Sequence, residues 1–360
     1  MRELNFCENQ IKYLLILITF NSTVCMNMIF TWPKFLSSTF FGIGLILLYQ
    51  WYMKKELSYK EQCVVGASIA LAMTAHGSIA FAIIGLGLVL LLGKHVRWKN
   101  VLLIVVSFAI VYAPWMIYQK VMDPPGDILL RFFLGGVWTN NGNTLFEQLI
   151  DSYKALTIRQ WSLNKLSNFI EYFYDIFMPK NNKSIISWYW NNKWATLFFT
   201  LGINNISILI TILFRKRLNK TQKYLVCTFA MSLLVHALIY FKAANTIIHH
   251  CAYSNMIILF ILVASLAREI KPKIIYLMNV VNIFDILLTL IIKPELSVDY
   301  KSYAERFYSL SAVGFLGFVV GGVVVLLYIN KYSSNAWLEK ESYCSDSAIT
   351  SDCIVAECFK

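Results

Sequence analysis

Charge is scarce in this chain. Only 14% of its 360 residues are Asp, Glu, Lys or Arg, against about 25% in an ordinary soluble domain. That shortage, beside 58% hydrophobic residues, rules out a soluble enzyme, a disulfide-rich secreted module and a disordered chain. Acid is the scarcer sign, with 20 acidic side chains against 32 basic ones and a net charge of +12. Motifs are missing too. There is no glycine-rich phosphate loop, no H-E-x-x-H, no nucleophile elbow and no paired zinc cysteines. ATP-driven and metalloprotease roles therefore lack support, and no metal or other cofactor is implied. None of the 8 cysteines falls in the long segment 120–193, which excludes an outer disulfide framework. Cys344, Cys353 and Cys358 of the tail, like Cys7, read as free thiols.

What is present is a series of long apolar runs. A helix rises about 1.5 Å per residue, so about 20 apolar residues cross the hydrocarbon layer. Segments of that length stand at 11–30, 35–53, 100–118, 194–214, 224–241, 251–267, 274–292 and 308–329. The run 63–93 is too long for one crossing, and His76-Gly77 sits near its middle, where glycine breaks a helix cheaply. It reads as two short helices folded back on each other. The fold class is an all-α integral membrane protein of about ten transmembrane helices with one long outer loop carrying interfacial helices.

Basic residues set the orientation. Nineteen of the 32 Lys and Arg lie in 1–12, 54–61, 94–99, 215–223, 268–273 and 330–360, all on one side of this topology. Of the remaining thirteen, eight are scattered over 120–193. Both termini are therefore expected in the cytoplasm, and most of the +12 reflects topology rather than affinity for nucleic acid. Four regions follow: N-terminal spans 1–119, the outer loop 120–193, C-terminal spans 194–329 and a disordered cytoplasmic tail 330–360. No cleavable signal peptide is evident, and 11–30 serves as a first helix.

The outer loop opens with Asp123-Pro124-Pro125-Gly126-Asp127, a rigid turn. Further on, Trp161, Leu166, Phe169, Ile170, Phe173 and Phe177 recur at helical spacing opposite Asn164, Lys165, Asn168, Glu171 and Asp175. Such a helix can lie in the lipid–water boundary. Trp188, Tyr189, Trp190 and Trp194 form an aromatic belt at re-entry. In the C-terminal spans, Gly317-x-x-x-Gly321 marks a close-packing helix face.

Few residues have the means for chemistry. Asp123 and Asp127, beside Lys120 and Arg131, place carboxylates at the interface. There a carboxylate can act as general base toward an acceptor hydroxyl while a cation holds a lipid phosphate. Turn chemistry accounts for the same acids equally well. Lys34 and His76 face the outer side and suit a phosphate or sugar; His76 can equally cap the broken helix. His236, within a span, reads as a helix–helix hydrogen-bonding residue, and His249-His250 as a surface pair. Asp285 is the one charged residue placed inside a span, beside Asn279 and Asn282. An acid there either serves a proton or cation or is neutralised by a neighbouring helix.

Three passages taken in order carry a resemblance: Thr31-Trp32-Pro33-Lys34 opening a span, Ala75-His76-Gly77-Ser78 at a helical break, and Ala113-Pro114-Trp115 running through Tyr118-Gln119 into Asp123-Pro124-Pro125-Gly126-Asp127. Over residues 31–136 the chain resembles bacterial multi-spanning membrane glycosyltransferases of the C-type fold, akin to the protein mannosyltransferase and aminoarabinose transferase families. The resemblance implies a sugar moved from a polyprenyl-phosphate donor to an acceptor at the outer face of the bacterial inner membrane. It also implies a catalytic carboxylate in the first large outer loop. Here that loop is 31–34 and holds no Asp or Glu. Either the N-terminal catalytic part is missing, or the chain works differently, or it has no transferase activity. Two other functions compete with the transferase: a transporter or flippase using Asp285 and the broken hairpin, and a non-catalytic membrane scaffold. The bilayer is the one partner common to all three.

Overall fold

The computed structural model describes residues 4, 6–19, 33–122, 124, 126–137, 142–171, 217–242, 245–266 and 280. These are mostly helical, with no strand among the described residues. In chain order the helices are α1 (Glu8–Thr19), α2 (Lys34–Tyr52), α3 (Tyr59–Ala75), a single 3-10 turn (Gly77–Ile79), α4 (Ala80–Leu92), α5 (Trp98–Met122), α6 (Ile128–Gly135), α7 (Leu145–Lys154), α8 (Ile158–Glu171), α9 (Lys220–Ile239) and α10 (Asn245–Ala264). Helices thus stand at seven of the ten expected spans. Three of them, Lys34–Tyr52, Trp98–Met122 and Lys220–Ile239, are long and apolar enough to cross a membrane. The expected spans 194–214, 274–292 and 308–329, the aromatic belt, Asp285 and the tail lie outside the described residues.

Local chemistry starts several of these helices. Ser58 Oγ accepts from the Glu61 N–H at 3.3 Å while Glu61 accepts from the Ser58 N–H at 2.7 Å. Thr144 with Glu147 and Asn219 with Gln222 repeat this reciprocal cap for α7 and α9. Each cap satisfies backbone donors that the first helical turn otherwise leaves bare.

The helix ends sort into two groups. At one end, Tyr49 bonds the Thr221 hydroxyl at 2.9 Å, Thr221 donates to the Leu4 carbonyl at 3.3 Å and Gln10 to the Ser265 carbonyl at 2.7 Å. Arg97 donates to the Lys54 carbonyl at 2.8 Å, and Lys99 pairs with Glu56 at 2.6 Å, which brings the α2–α3 and α4–α5 turns side by side. At the other end lie Lys34, His76, the start of α6 and the end of α9. There the Phe241 N–H donates to the Phe133 carbonyl at 2.8 Å. The basic turns 54–56, 94–99 and 217–223 share the first end, the grouping that basic-residue counting assigns to one side of the bilayer.

The run 63–93 breaks at His76 as expected, and its chain direction reverses there. Its two legs do not fold onto each other, however. α3 packs on α2 and α5, whereas α4 packs on α9. Small residues explain the choice. A Cβ at Gly66 would strike the Ile104 carbonyl of α5, and one at Gly85 would lie 2.6 Å from the Ser232 backbone nitrogen of α9. The two glycines bring backbone against backbone with partners other than the opposite leg. The core between them is aromatic, with Tyr224 5.1 Å from both Tyr49 and Tyr52 between ring centroids and its hydroxyl donating to the Leu45 carbonyl at 2.7 Å.

α5 is different. It is the most apolar of the three long helices, yet Asn100 is its one buried residue, and Leu102, Ile110 and Val121 are each about 70% exposed. An apolar face of that extent in water would drive association; lipid covers it at no such cost.

Candidate functional site

The Lys34 end of the bundle is organised around the helical break. His76 ends α3 with an extended backbone, φ −159° and ψ 116°, so the chain leaves the helix without a left-handed residue. Its Nδ1 lies 2.7 Å from the Ser78 hydroxyl and accepts more weakly from the Ser78 N–H at 3.4 Å. The Ser37 hydroxyl reaches across from α2 to the Ala72 carbonyl at 2.7 Å and the His76 carbonyl at 3.5 Å, so the first turn of α2 supplies a donor that α3 lacks at its C-terminus.

Lys34, the first residue of α2, is buried in the same place, as are Ser37, Ser38 and Ser78. Burial, with a smaller contribution from the Lys34 charge, lowers the pKa of His76 to about 4. At neutral pH the imidazole is therefore uncharged beside a lysine at the positive end of a helix dipole. A neutral ring offers one N–H donor and one acceptor. With Lys34 it forms a compact pair of groups suited to an oxyanion, held in place by the Ser37 and Ser78 hydroxyls. Two residues singled out separately in the sequence, Lys34 and His76, meet here.

Arg131 does not join them. Its guanidinium is buried and used up within the segment 127–148. Nε and Nη2 donate to the two carboxylate oxygens of Asp127 at 2.7 and 2.9 Å, and Nη1 donates to the Asn143 carbonyl at 2.8 Å and to the Gln148 side chain. Asp127 was expected to work on an acceptor and Arg131 on a phosphate. The structure pairs them, because an i,i+4 spacing across the start of α6 brings carboxylate and guanidinium face to face. The bond to Asn143 then pins the α6–α7 connection. Asp123 lies outside the described residues.

A second polar group was not singled out for a role. Lys165 and Asn168 belong to the face of α8 expected to be solvated, yet both are buried. Lys165 Nζ donates to the Tyr240 carbonyl at 2.6 Å; Asn168 donates to the Ala237 carbonyl at 3.1 Å and the Tyr240 carbonyl at 2.7 Å. The end of α9 explains the inversion. Its last carbonyls have no helical partner, and the cation and amide supply donors at the negative end of the dipole. α8 consequently turns its apolar side outward, with Trp161, Leu163, Leu166 and Phe169 exposed. Beneath it, His236 stacks on Tyr240 at 5.2 Å and meets Phe81 edge-on at 5.3 Å. The signal available in sequence was the lysine and asparagine three positions apart, which points equally to a solvated face and to a helix-end cap. The side chains of His249 and His250 lie outside the described residues.

No protein family, curated protein or solved structure matches this chain.

Proposed function

We propose that the chain is a polytopic protein of the bacterial inner membrane, with both termini cytoplasmic, that binds a polyprenyl-phosphate-linked sugar at its outer face and transfers the sugar to an acceptor. The observation that carries this reading is the meeting of Lys34 and His76, far apart in sequence, among Ser37, Ser38 and Ser78 at the outer helical break. The exposed apolar surface of α5 and the outward apolar face of α8 support a lipid setting for that end of the bundle.

In the proposed reaction an acceptor hydroxyl attacks the anomeric carbon, a carbon–oxygen bond to the donor phosphate breaks, and the polyprenyl phosphate leaves. Lys34 and the neutral His76 N–H stabilise the charge gathering on the departing phosphate oxygen. The acceptor proton passes to a carboxylate. With Asp127 held by Arg131, Asp123 is the acid assigned that role, and Arg131 shapes the loop that presents it. The test is sugar transfer from a polyprenyl-phosphate donor by the protein reconstituted in vesicles. Asp123→Asn lowers the rate by about a hundredfold or more, the scale of a general base, whereas Asp127→Asn acts through loop stability. Equal rates for wild type and Asp123→Asn overturn the assignment.

One observation favours a transporter as the second reading. The interrupted helix at His76-Gly77 is the kind of discontinuity around which transporters build substrate sites. Flux into proteoliposomes that falls on Asp285→Asn, with no sugar transfer, establishes it in place of the transferase. Neither activity in wild-type protein leaves the non-catalytic scaffold.

A further inference from the structure

At the opposite end from the Lys34–His76 cluster, the splayed legs of the 63–93 hairpin leave a cavity of about 420 Å³ between α2, α3, α4 and α5. Its walls are apolar and include Leu48, Ile69, Ile83, Gly87, Leu91 and Val101. Trp51, Val96 and Trp98 also line it and connect directly to the two basic turns. Those turns carry Lys54, Lys55, Lys94, Arg97 and Lys99 against a single acid, Glu56, which pairs with Lys99.

Two further features concern the same place. Lys54 and Lys94 both adopt left-handed backbone, φ 60° and 54°, at the ends of α2 and α4. Glycine or asparagine is the usual occupant of that position, yet lysine stands at both. Three buried side-chain nitrogens around these turns, Trp51 Nε1, His95 Nδ1 and Asn100 Nδ2, have no hydrogen-bond partner among the described residues. Buried polar atoms of this kind ordinarily find a hydrogen-bond partner.

We propose that this cavity and its basic rim bind one anionic phospholipid. An acyl chain occupies the space between α3 and α4, the ester region accepts from Trp51 Nε1, the one of these nitrogens whose residue lines the cavity, and the phosphate lies against Lys54 and Lys94. Charge complementarity selects the occupant. A neutral lipid fills the apolar walls equally well but leaves four of the five clustered cations without a counter-charge, and basic pockets between spanning helices are the setting in which acidic headgroups are held. The site is at the other end of the bundle from Lys34 and does not depend on the reaction there.

Gly87 provides a clean test, because a Cβ built on it meets nothing within 4 Å. Gly87→Phe fills the cavity and leaves every charge in place. Lys54→Asn with Lys94→Asn removes two charges while supplying the residue that left-handed backbone tolerates. The full-length protein is incorporated into bilayers of equal phosphatidylglycerol and phosphatidylcholine, extracted, and its retained lipid identified by mass spectrometry. Wild type is expected to retain phosphatidylglycerol roughly thirtyfold over phosphatidylcholine, on the order of what two lysines at an anionic surface contribute. That preference is expected to vanish in the double lysine variant. Gly87→Phe is expected to retain neither lipid, and Lys223→Gln, on the exposed start of α9 at the same end, to behave as wild type. Equal retention of the two lipids by wild type overturns the proposal without reference to any variant. So does undiminished retention by Gly87→Phe, or a loss on Lys223→Gln equal to that of the double variant.

Discussion

Asn168 donates its side-chain amide to the Tyr240 carbonyl at 2.7 Å, joining α8 to the end of α9. With Lys165 on the same carbonyl, this bond fixes which way α8 faces. The polar side is spent on the helix end, and the apolar side is left exposed. Asn168→Leu removes the amide and strands buried carbonyls, at a cost of about 1–3 kcal/mol. The expected result is a lower thermal midpoint in detergent and faster proteolysis of the 142–171 segment. An unchanged midpoint contradicts the capping role.

The close approach of α4 to α9 at Gly85 predicts sensitivity to added volume. Gly85→Val is expected to destabilise by roughly 1–3 kcal/mol, because neither backbone can yield without breaking its own helix. Gly87→Ala, two residues along and in open space, is expected to be nearly neutral. Thermal unfolding of the two variants in the same detergent decides it, and equal midpoints refute the contact.

Acid should weaken the helical break at His76. His76 has its pKa lowered to about 4 in the folded chain, against about 6.5 when unfolded. Below 6.5 the unfolded chain binds a proton that the folded one refuses, so stability falls as pH drops from about 6.5 toward 4 and is constant above. The lost stability is roughly 3 kcal/mol at most. His76→Gln is expected to remove this part of the acid sensitivity, read as the difference between the two midpoint-against-pH curves. Parallel curves contradict the burial of a neutral ring.

Sidedness is directly measurable. In a background with the 8 native cysteines replaced by serine, Lys55→Cys is expected to react with a membrane-impermeant maleimide only after cells are opened. Asn143→Cys is expected to react in spheroplasts without opening. Labelling of both from one side contradicts the two-ended bundle.

Much of this architecture was legible in sequence because it depends on hydropathy and on one glycine. The helices at 34–52, 98–122 and 220–239 follow from apolar length, and the break follows from His76-Gly77. The sorting of basic turns to one end follows from charge counting alone. The site was less legible, for reasons that differ by residue. Lys34 and His76 each looked suited to a phosphate, yet nothing local reveals that Ser37 ties α2 to the end of α3 and brings them together. Asp127 and Arg131 were visible as an i,i+4 pair, but whether such a pair faces a substrate or itself depends on Asn143 and Gln148 arriving from α7. Lys165 and Asn168 sat on a textually polar face, and only the unmet carbonyls of a helix far along the chain turned that face inward. The legs of the hairpin parted because Gly66 and Gly85 each met a partner, α5 and α9, whose position no local pattern encodes.

The account rests most heavily on Lys34 as the cation of an outer phosphate site, and binding of a polyprenyl phosphate to the protein in phosphatidylcholine nanodiscs tests that claim without requiring turnover. Wild type is expected to bind saturably, and Lys34→Met to bind about tenfold or more weakly, the loss appropriate to one charge-assisted bond. Equal affinity for wild type and Lys34→Met, with both proteins folded, contradicts it.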